Sequence, residues 1–218
     1  MTKIALLVFD CDGVILDSAG IKVDAFNAVG SHFVPEIGEW LVRAHKGSPG
    51  LSRHLLFERL YRVWFGREIT ESERQQLNAI FRAFCRERML AVRPIPGALE
   101  TVRKWRSLLP VYVCSGTPHE DLLALFNERK LTELFTGVFG SPPIKNRLLA
   151  NIVRKAHVLP EETLMIGDSI TDLEAARMVG TQFYGCGEKM ASRVANGGRD
   201  LCGLDAWLTQ QTGILANG

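Results

Sequence analysis

The chain has 218 residues, 46% apolar and 23% charged, enough for one large domain or a core plus a smaller module, and a mixture unlike that of disordered or fibrous proteins. Its 26 basic and 24 acidic side chains nearly cancel to a formal +2, which argues against nucleic acid or another polyanion as a partner. No apolar run approaches the roughly 20 residues of a bilayer span, and Ile4 to Phe9 is too short for a signal peptide, so a soluble cytoplasmic protein with no membrane partner is expected.

Ile4 to Phe9 is continuously apolar, the pattern of a strand buried on both faces, and Asp10 ends it. From about Ser18 to Arg93 there is no strand signal. Amphipathic helical patterns run there instead, including Leu51 to Phe65 and Glu71 to Leu90, the latter opened by the capping box Thr70-Glu71-Ser72-Glu73. Trp40, Phe57, Leu60, Trp64, Phe81 and Phe84 recur at helical spacing and read as that segment's own apolar core. Pro94-Ile95-Pro96-Gly97 then punctuates the chain.

Helical spacing follows over Ala98 to Ser107, Glu120 to Arg129, Lys145 to Ala156 and Asp172 to Val179. Between these lie strand-like runs at Val111 to Cys114, Gly137 to Phe139, Thr163 to Ile166 and Gln182 to Tyr184. The alternation predicts an α/β fold with a doubly wound parallel sheet, built from residues 1–17 and 93–218, with 18–92 as a helical insertion. Such sheets bind ligands outside the carboxyl ends of their strands, where polar residues fall on three strands here.

Asp10 and Asp12, two apart on a turn eased by Gly13, suit a nucleophile and a proton donor, although an Asp-x-Asp-Gly turn also arises as a plain loop. Gly167-Asp168-Ser169-Ile170-Thr171-Asp172 sets carboxylates four apart, as a hard divalent cation wants. Asp172 as a first-turn acid is the bland alternative, with Ser169 or Thr171 as the cap. Ser115-Gly116-Thr117-Pro118 offers a hydroxyl and backbone N–H groups to a phosphate oxygen, or Thr117 as a helix cap. Lys145 near a helix start sets a cation at the positive end of the dipole, which needs a compensating anion. The five cysteines, Cys11, Cys85, Cys114, Cys186 and Cys202, form no C-x-x-C pair and read as reduced thiols.

In order, Asp10-Cys11-Asp12-Gly13-Val14, Ser115-Gly116-Thr117, Lys145 and Gly167-Asp168 to Asp172 resemble the four motifs of the haloacid dehalogenase superfamily. Ile95-Pro96-Gly97 and Ala175 to Gly180 resemble its β-phosphoglucomutase and phosphoglycolate-phosphatase branch, and the helical insertion resembles that branch's cap over a Rossmann-like core. The resemblance implies an aspartyl-phosphate on Asp10 and acid–base work by Asp12. Mg2+ would sit on the Asp10 and Asp168 side chains and the Asp12 carbonyl, and Asp172 would support the ion or Lys145. Ser115, Gly116 and Lys145 would hold phosphate.

Val14 and Asn146 stand where the family often has Thr and Pro, and Ser169 where many relatives carry a second acid. Asp12 argues against dehalogenase and phosphonatase chemistry. The expected activity is a phosphatase for a small phosphorylated metabolite such as a sugar phosphate or phosphoglycolate. The alternatives are a phosphomutase or a non-catalytic binding module that keeps the fold. Arg43, His45, Lys46 and Arg53 surround the helical break Gly47-Ser48-Pro49-Gly50, and Arg43 and Lys46 are the candidate substrate-reading residues.

Overall fold

The computed structural model of the protein describes residues 3–48 and 51–213. Strand β1 (Leu6–Phe9) is buried at every position, as its unbroken apolar run requires. Four helices follow, α1 (Ala19–Gly30), α2 (Pro35–Gly47), α3 (Arg53–Phe65) and α4 (Glu71–Ala91). The chain then alternates: α5 (Ala98–Trp105), β2 (Val111–Pro118), α6 (His119–Glu128), β3 (Gly137–Ser141), α7 (Lys145–Ala156), β4 (Thr163–Gly167), α8 (Ile170–Val179), β5 (Gln182–Cys186), α9 (Glu188–Ala191), β6 (Gly197–Gly198) and α10 (Leu204–Thr212).

All six strands run parallel in the order β3-β2-β1-β4-β5-β6. Side chains alternate across the sheet. Leu7, Phe9, Val111, Val113, Leu164 and Ile166 join the core shared with α5, α6, α10 and the inserted helices. Leu6, Val8, Tyr112, Cys114 and Met165 pack instead against α7 and α8. The architecture is therefore an α/β doubly wound sheet with an inserted helical cap.

Register positions the chemistry. Phe9 pairs with Val113 on one side and Ile166 on the other, so Asp10 leaves the sheet level with Cys114 and Gly167. The strand order also reverses direction at β1, and the crevice for a ligand opens at such a switch point.

The cap is held by its own aromatic contacts, with Phe26 of α1 against Phe81 of α4 at 5.0 Å and Phe57 of α3 at 6.2 Å. Helices α1 and α2 meet backbone to backbone at Gly30, where a Cβ would fall 2.0 Å from the Gly38 Cα. Phe57, Leu60 and Phe81 are buried, and Trp40 and Phe84 pack half-buried against them. Trp64 departs from the expected cap core. It is 40% exposed, because it lies in the last turn of α3 before Gly66, at φ 64°, ends the helix past the buried stripe Leu56, Phe57, Leu60 and Tyr61. The capping box of α4 is formed, with Glu73 N–H donating to Thr70 Oγ1 at 3.3 Å and Thr70 N–H to Glu73 Oε2 at 2.9 Å.

Candidate active site

The turn after β1 is closed by its own backbone: Gly13 N–H donates to the Leu16 carbonyl at 2.7 Å, and Ile15 and Leu16 N–H donate to the Cys11 carbonyl at 2.9 Å. Gly13 sits at φ 77°, and a Cβ there would fall 2.2 Å from Asp168 Oδ2. Only glycine lets β4's carboxylate approach the first motif this closely.

Asp10, 3% exposed, accepts the Cys11 N–H on Oδ1 at 2.7 Å. Lys145 Nζ lies 3.0 Å from the same oxygen and 2.5 Å from Asp172 Oδ1. Those two carboxylates supply the anion that a lysine at the start of α7 calls for. They raise its pKa, although burial alone would lower it. Asp172 spends its other oxygen on α8's own start: Oδ2 accepts from Ser169 N–H at 3.1 Å and Ser169 Oγ at 2.7 Å, and Ser169 Oγ accepts the Asp172 N–H. Ser169 is thus the cap of α8, and Asp172 is both its capping partner and a support for Lys145.

Asp12 is tied differently. Ser18 Oγ donates to its Oδ1 at 2.6 Å, Thr117 Oγ1 to its Oδ2 at 3.1 Å, and Lys22 Nζ of α1 bonds Oδ2 as well as Thr117 Oγ1. Burial opposes ionisation of Asp12, yet Lys22 and these donors hold it below the ordinary carboxylate range. Thr117 therefore does not cap a helix. Strand β2 runs on to Pro118, and α6 starts without a side-chain cap. Ser115 is buried and accepts the Thr117 N–H at 3.1 Å, while Gly116 lines the cavity above the strand ends. Burial pushes the Cys11 and Cys114 thiols up, so neither supplies a thiolate.

Asp10, Asp12 and Asp168 line that cavity together with residues of α1, α3, α4 and α6. Arg43 and Lys46 do not. Arg43 pairs with Glu39 on an exposed face of α2, and Lys46 is exposed. The inward stripe of α2 is Ile37, Leu41 and His45, at four-residue spacing, which turns residues 43 and 46 away. His45 and Arg53 line the cavity in their place, and Pro49 and Gly50 of the expected break lie outside the described residues. Lys22 is the residue sequence reasoning missed, because a single lysine in an amphipathic helix carries no signal of its partner. His119 is structural: its Nδ1 accepts the Gly140 N–H at 3.2 Å, and its ring stacks on Phe139.

A family model described as haloacid dehalogenase-like hydrolase matches residues 4–180. The chain belongs to the haloacid dehalogenase-like hydrolases. A phosphoglycolate phosphatase of Pseudomonas savastanoi is 28% identical over 187 residues, covering 80% of this chain and 66% of that protein, so the chain spans about two thirds of its length. One from Mesorhizobium japonicum is 25% identical over 183 residues, 80% of this chain and 79% of that protein.

The same fold recurs in a β-phosphoglucomutase from Clostridium difficile, with TM-score 0.79, 16% identity and coverage of 96% and 97% of the two chains. A hydrolase from Pseudomonas syringae has TM-score 0.77 and 19% identity, with coverage of 94% and 98%. The two solved structures show that the sheet and its inserted helices are a shared fold.

The residues of this hydrolase fit a hard divalent cation. Carboxylate oxygens of Asp10, Asp168 and Asp172 lie within 4.8 Å of one another. With Asp12 they make four acids against two ammonium groups, Lys22 and Lys145, an excess that a divalent cation cancels. Burial, then the charge of Asp172, pushes Asp10 up to about 7 and Asp168 to about 8, a cost that a bound cation removes.

Proposed function

We propose that this hydrolase is a Mg2+-dependent phosphatase that hydrolyses a phosphorylated small molecule through an aspartyl-phosphate on Asp10. One observation carries the reading. Asp10 Oδ1 is anchored by the Cys11 N–H and Lys145, while Oδ2 accepts no hydrogen bond among the described residues and the side chain lines the cavity. That is a fixed carboxylate with one oxygen left to attack. The names of its curated relatives, phosphoglycolate phosphatases, support the same reading.

Mg2+ on Asp10, Asp168 and the Asp12 carbonyl would supply positive charge to the phosphoryl oxygens. Lys145 adds a fixed charge beside the nucleophile, and the Gly116 backbone with Ser115 orients the phosphate at the end of β2. Asp10 attacks phosphorus, the bond to the leaving oxygen breaks, and that oxygen takes a proton from Asp12. Water then gives its proton to Asp12 and attacks phosphorus, so inorganic phosphate leaves and the Asp10 carboxylate returns. Asp12 is held ionised by Lys22, the state needed for the second step. To carry the proton of the first step it must be released by Lys22, for which the arriving phosphate competes.

The test is inorganic phosphate release by the purified protein with Mg2+ across a panel of phosphate esters. Asp10→Asn is expected to lower release at least about 10³-fold. Release unaffected by that substitution sinks the reading, and conversion of a hexose 1-phosphate to its 6-phosphate without phosphate loss would replace it with a mutase.

A further inference from the structure

The cavity above the carboxylates encloses about 450 Å³. At about 30 Å³ per water molecule that is room for roughly fifteen waters, more than the phosphoryl group and the two-carbon leaving group of phosphoglycolate fill together. Its far wall is apolar: Phe26, Leu51, Phe81, Met89 and Leu125 come from the cap and α6. Phe26 and Phe81 meet edge to face at 5.0 Å, and the His45 ring lies on Phe26 at 4.7 Å.

The buried cations on this wall already have partners, and Arg86 lies at its exposed rim. Arg53, 6% exposed, donates from Nε to Asn78 Oδ1 at 2.7 Å and from Nη2 to Asp121 Oδ2, and its guanidinium lies 5.1 Å from the centre of the Phe81 ring. Asp121 also takes Arg82 Nε at 2.8 Å. A second phosphate or carboxylate reaching for Arg53 or Arg82 would have to displace Asp121, itself part of the lining, and would face its carboxylate. Lys22 is held by Asp12 and Thr117. His45 is neutral, since burial and then the charge of Lys22 push it down to about 4. Arg86 and Glu128, the remaining charged lining residues, are exposed and of opposite sign.

Resting on the phosphatase reading above, we infer that the substrate is the phosphate monoester of an uncharged alcohol with a bulky, largely apolar body, bearing no second acidic group. Burial of that body against Phe26, Phe81 and Leu125 supplies the selectivity, and a bare glycolate forgoes it.

The experiment measures kcat/KM of the full chain with Mg2+ on 2-phenylethyl phosphate, 2-phosphoglycolate and glucose 6-phosphate. The expected result is a preference of at least about 100-fold for the phenylethyl ester over each of the others. Ala124→Trp, at an exposed position lining the cavity, should fill it and shrink that preference at least tenfold. Ala83→Trp, also exposed and lining the cavity from α4, repeats the test if the first variant folds poorly. Phosphoglycolate or glucose 6-phosphate cleaved as well as the phenylethyl ester overturns the inference and leaves the phosphatase reading standing. No Asp10-dependent release from the phenylethyl ester overturns the inference, whereas the phosphatase reading falls only if the whole ester panel gives none.

Discussion

Two helices of this hydrolase, α4 in the cap and α8 at the sheet edge, begin with the same device. Thr70 and Ser169 each accept the N–H three residues on, and Glu73 and Asp172 each reach back to the cap's own N–H. The difference lies in the third partner. Glu73 is lined up with Arg67 near the surface, whereas Asp172 is fully buried and its free oxygen holds Lys145 against Asp10. A capping box is a local motif, and what surrounds it decides whether it merely ends a helix or also positions a charge.

Substitutions along the two boxes test that difference. Lys145→Met should act most strongly, because it leaves Asp10 and Asp172 buried without their shared cation. Urea unfolding at neutral pH is expected to show a loss of about 3–5 kcal/mol, and a loss below about 1 kcal/mol would mean that the two carboxylates hold themselves neutral. Asp172→Asn keeps the shape, removes the charge that pushes Asp10 and Asp168 up, and frees Lys145 on one side. Phosphate release should fall about 10- to 100-fold with little change in melting temperature.

Ser169→Ala removes the cap and one donor to Asp172 together, for about 1–2 kcal/mol in denaturant unfolding and a smaller fall in kcat than Asp172→Asn. Thr70→Ala should cost about 1 kcal/mol or less and leave kcat unchanged. An equal effect on kcat at both caps would break the contrast.

Acid sharpens it further. Arg67 and then Thr70 hold Glu73 down at about 2. The contribution of Glu73 is therefore full above the ordinary carboxyl value, declines as pH falls below it, and is gone once pH has fallen through about 2. Melting curves of wild type and Glu73→Gln should converge toward that limit.

Much of this was legible beforehand because it is local. The strands β1, β2 and β4 announce themselves as unbroken apolar runs ending in polar residues, and α7 spans the expected Lys145–Ala156. Asp10, Lys145 and Asp172 come together as register and helix starts require. What escaped notice depends on distant partners. Strand β6 is two glycines, Gly197–Gly198, with no side chains to make a pattern. Lys22 meets Asp12 and Thr117 only once α1 lies over the sheet edge. Arg43 and Lys46 lie outside the cavity lining for reasons of helical phase, since charge near a break says nothing of which face turns inward. The same buried face of α2 brings in His45, and Arg53 is tied by Asp121, a residue far along the chain.

The place of β1 at the middle of the sheet bears on how the hydrolase is made. Its hydrogen-bonding neighbours begin at Val111 and Thr163, so a ribosome adding about 5–20 residues per second exposes the nascent strand for roughly 5–20 s before the first partner is synthesised. The four cap helices are translated during that interval. Asp10 is translated well before Lys145 and Asp172, and its surroundings are complete only after Asp172 has appeared, so a truncated translation product that stops inside the cap cannot form the site.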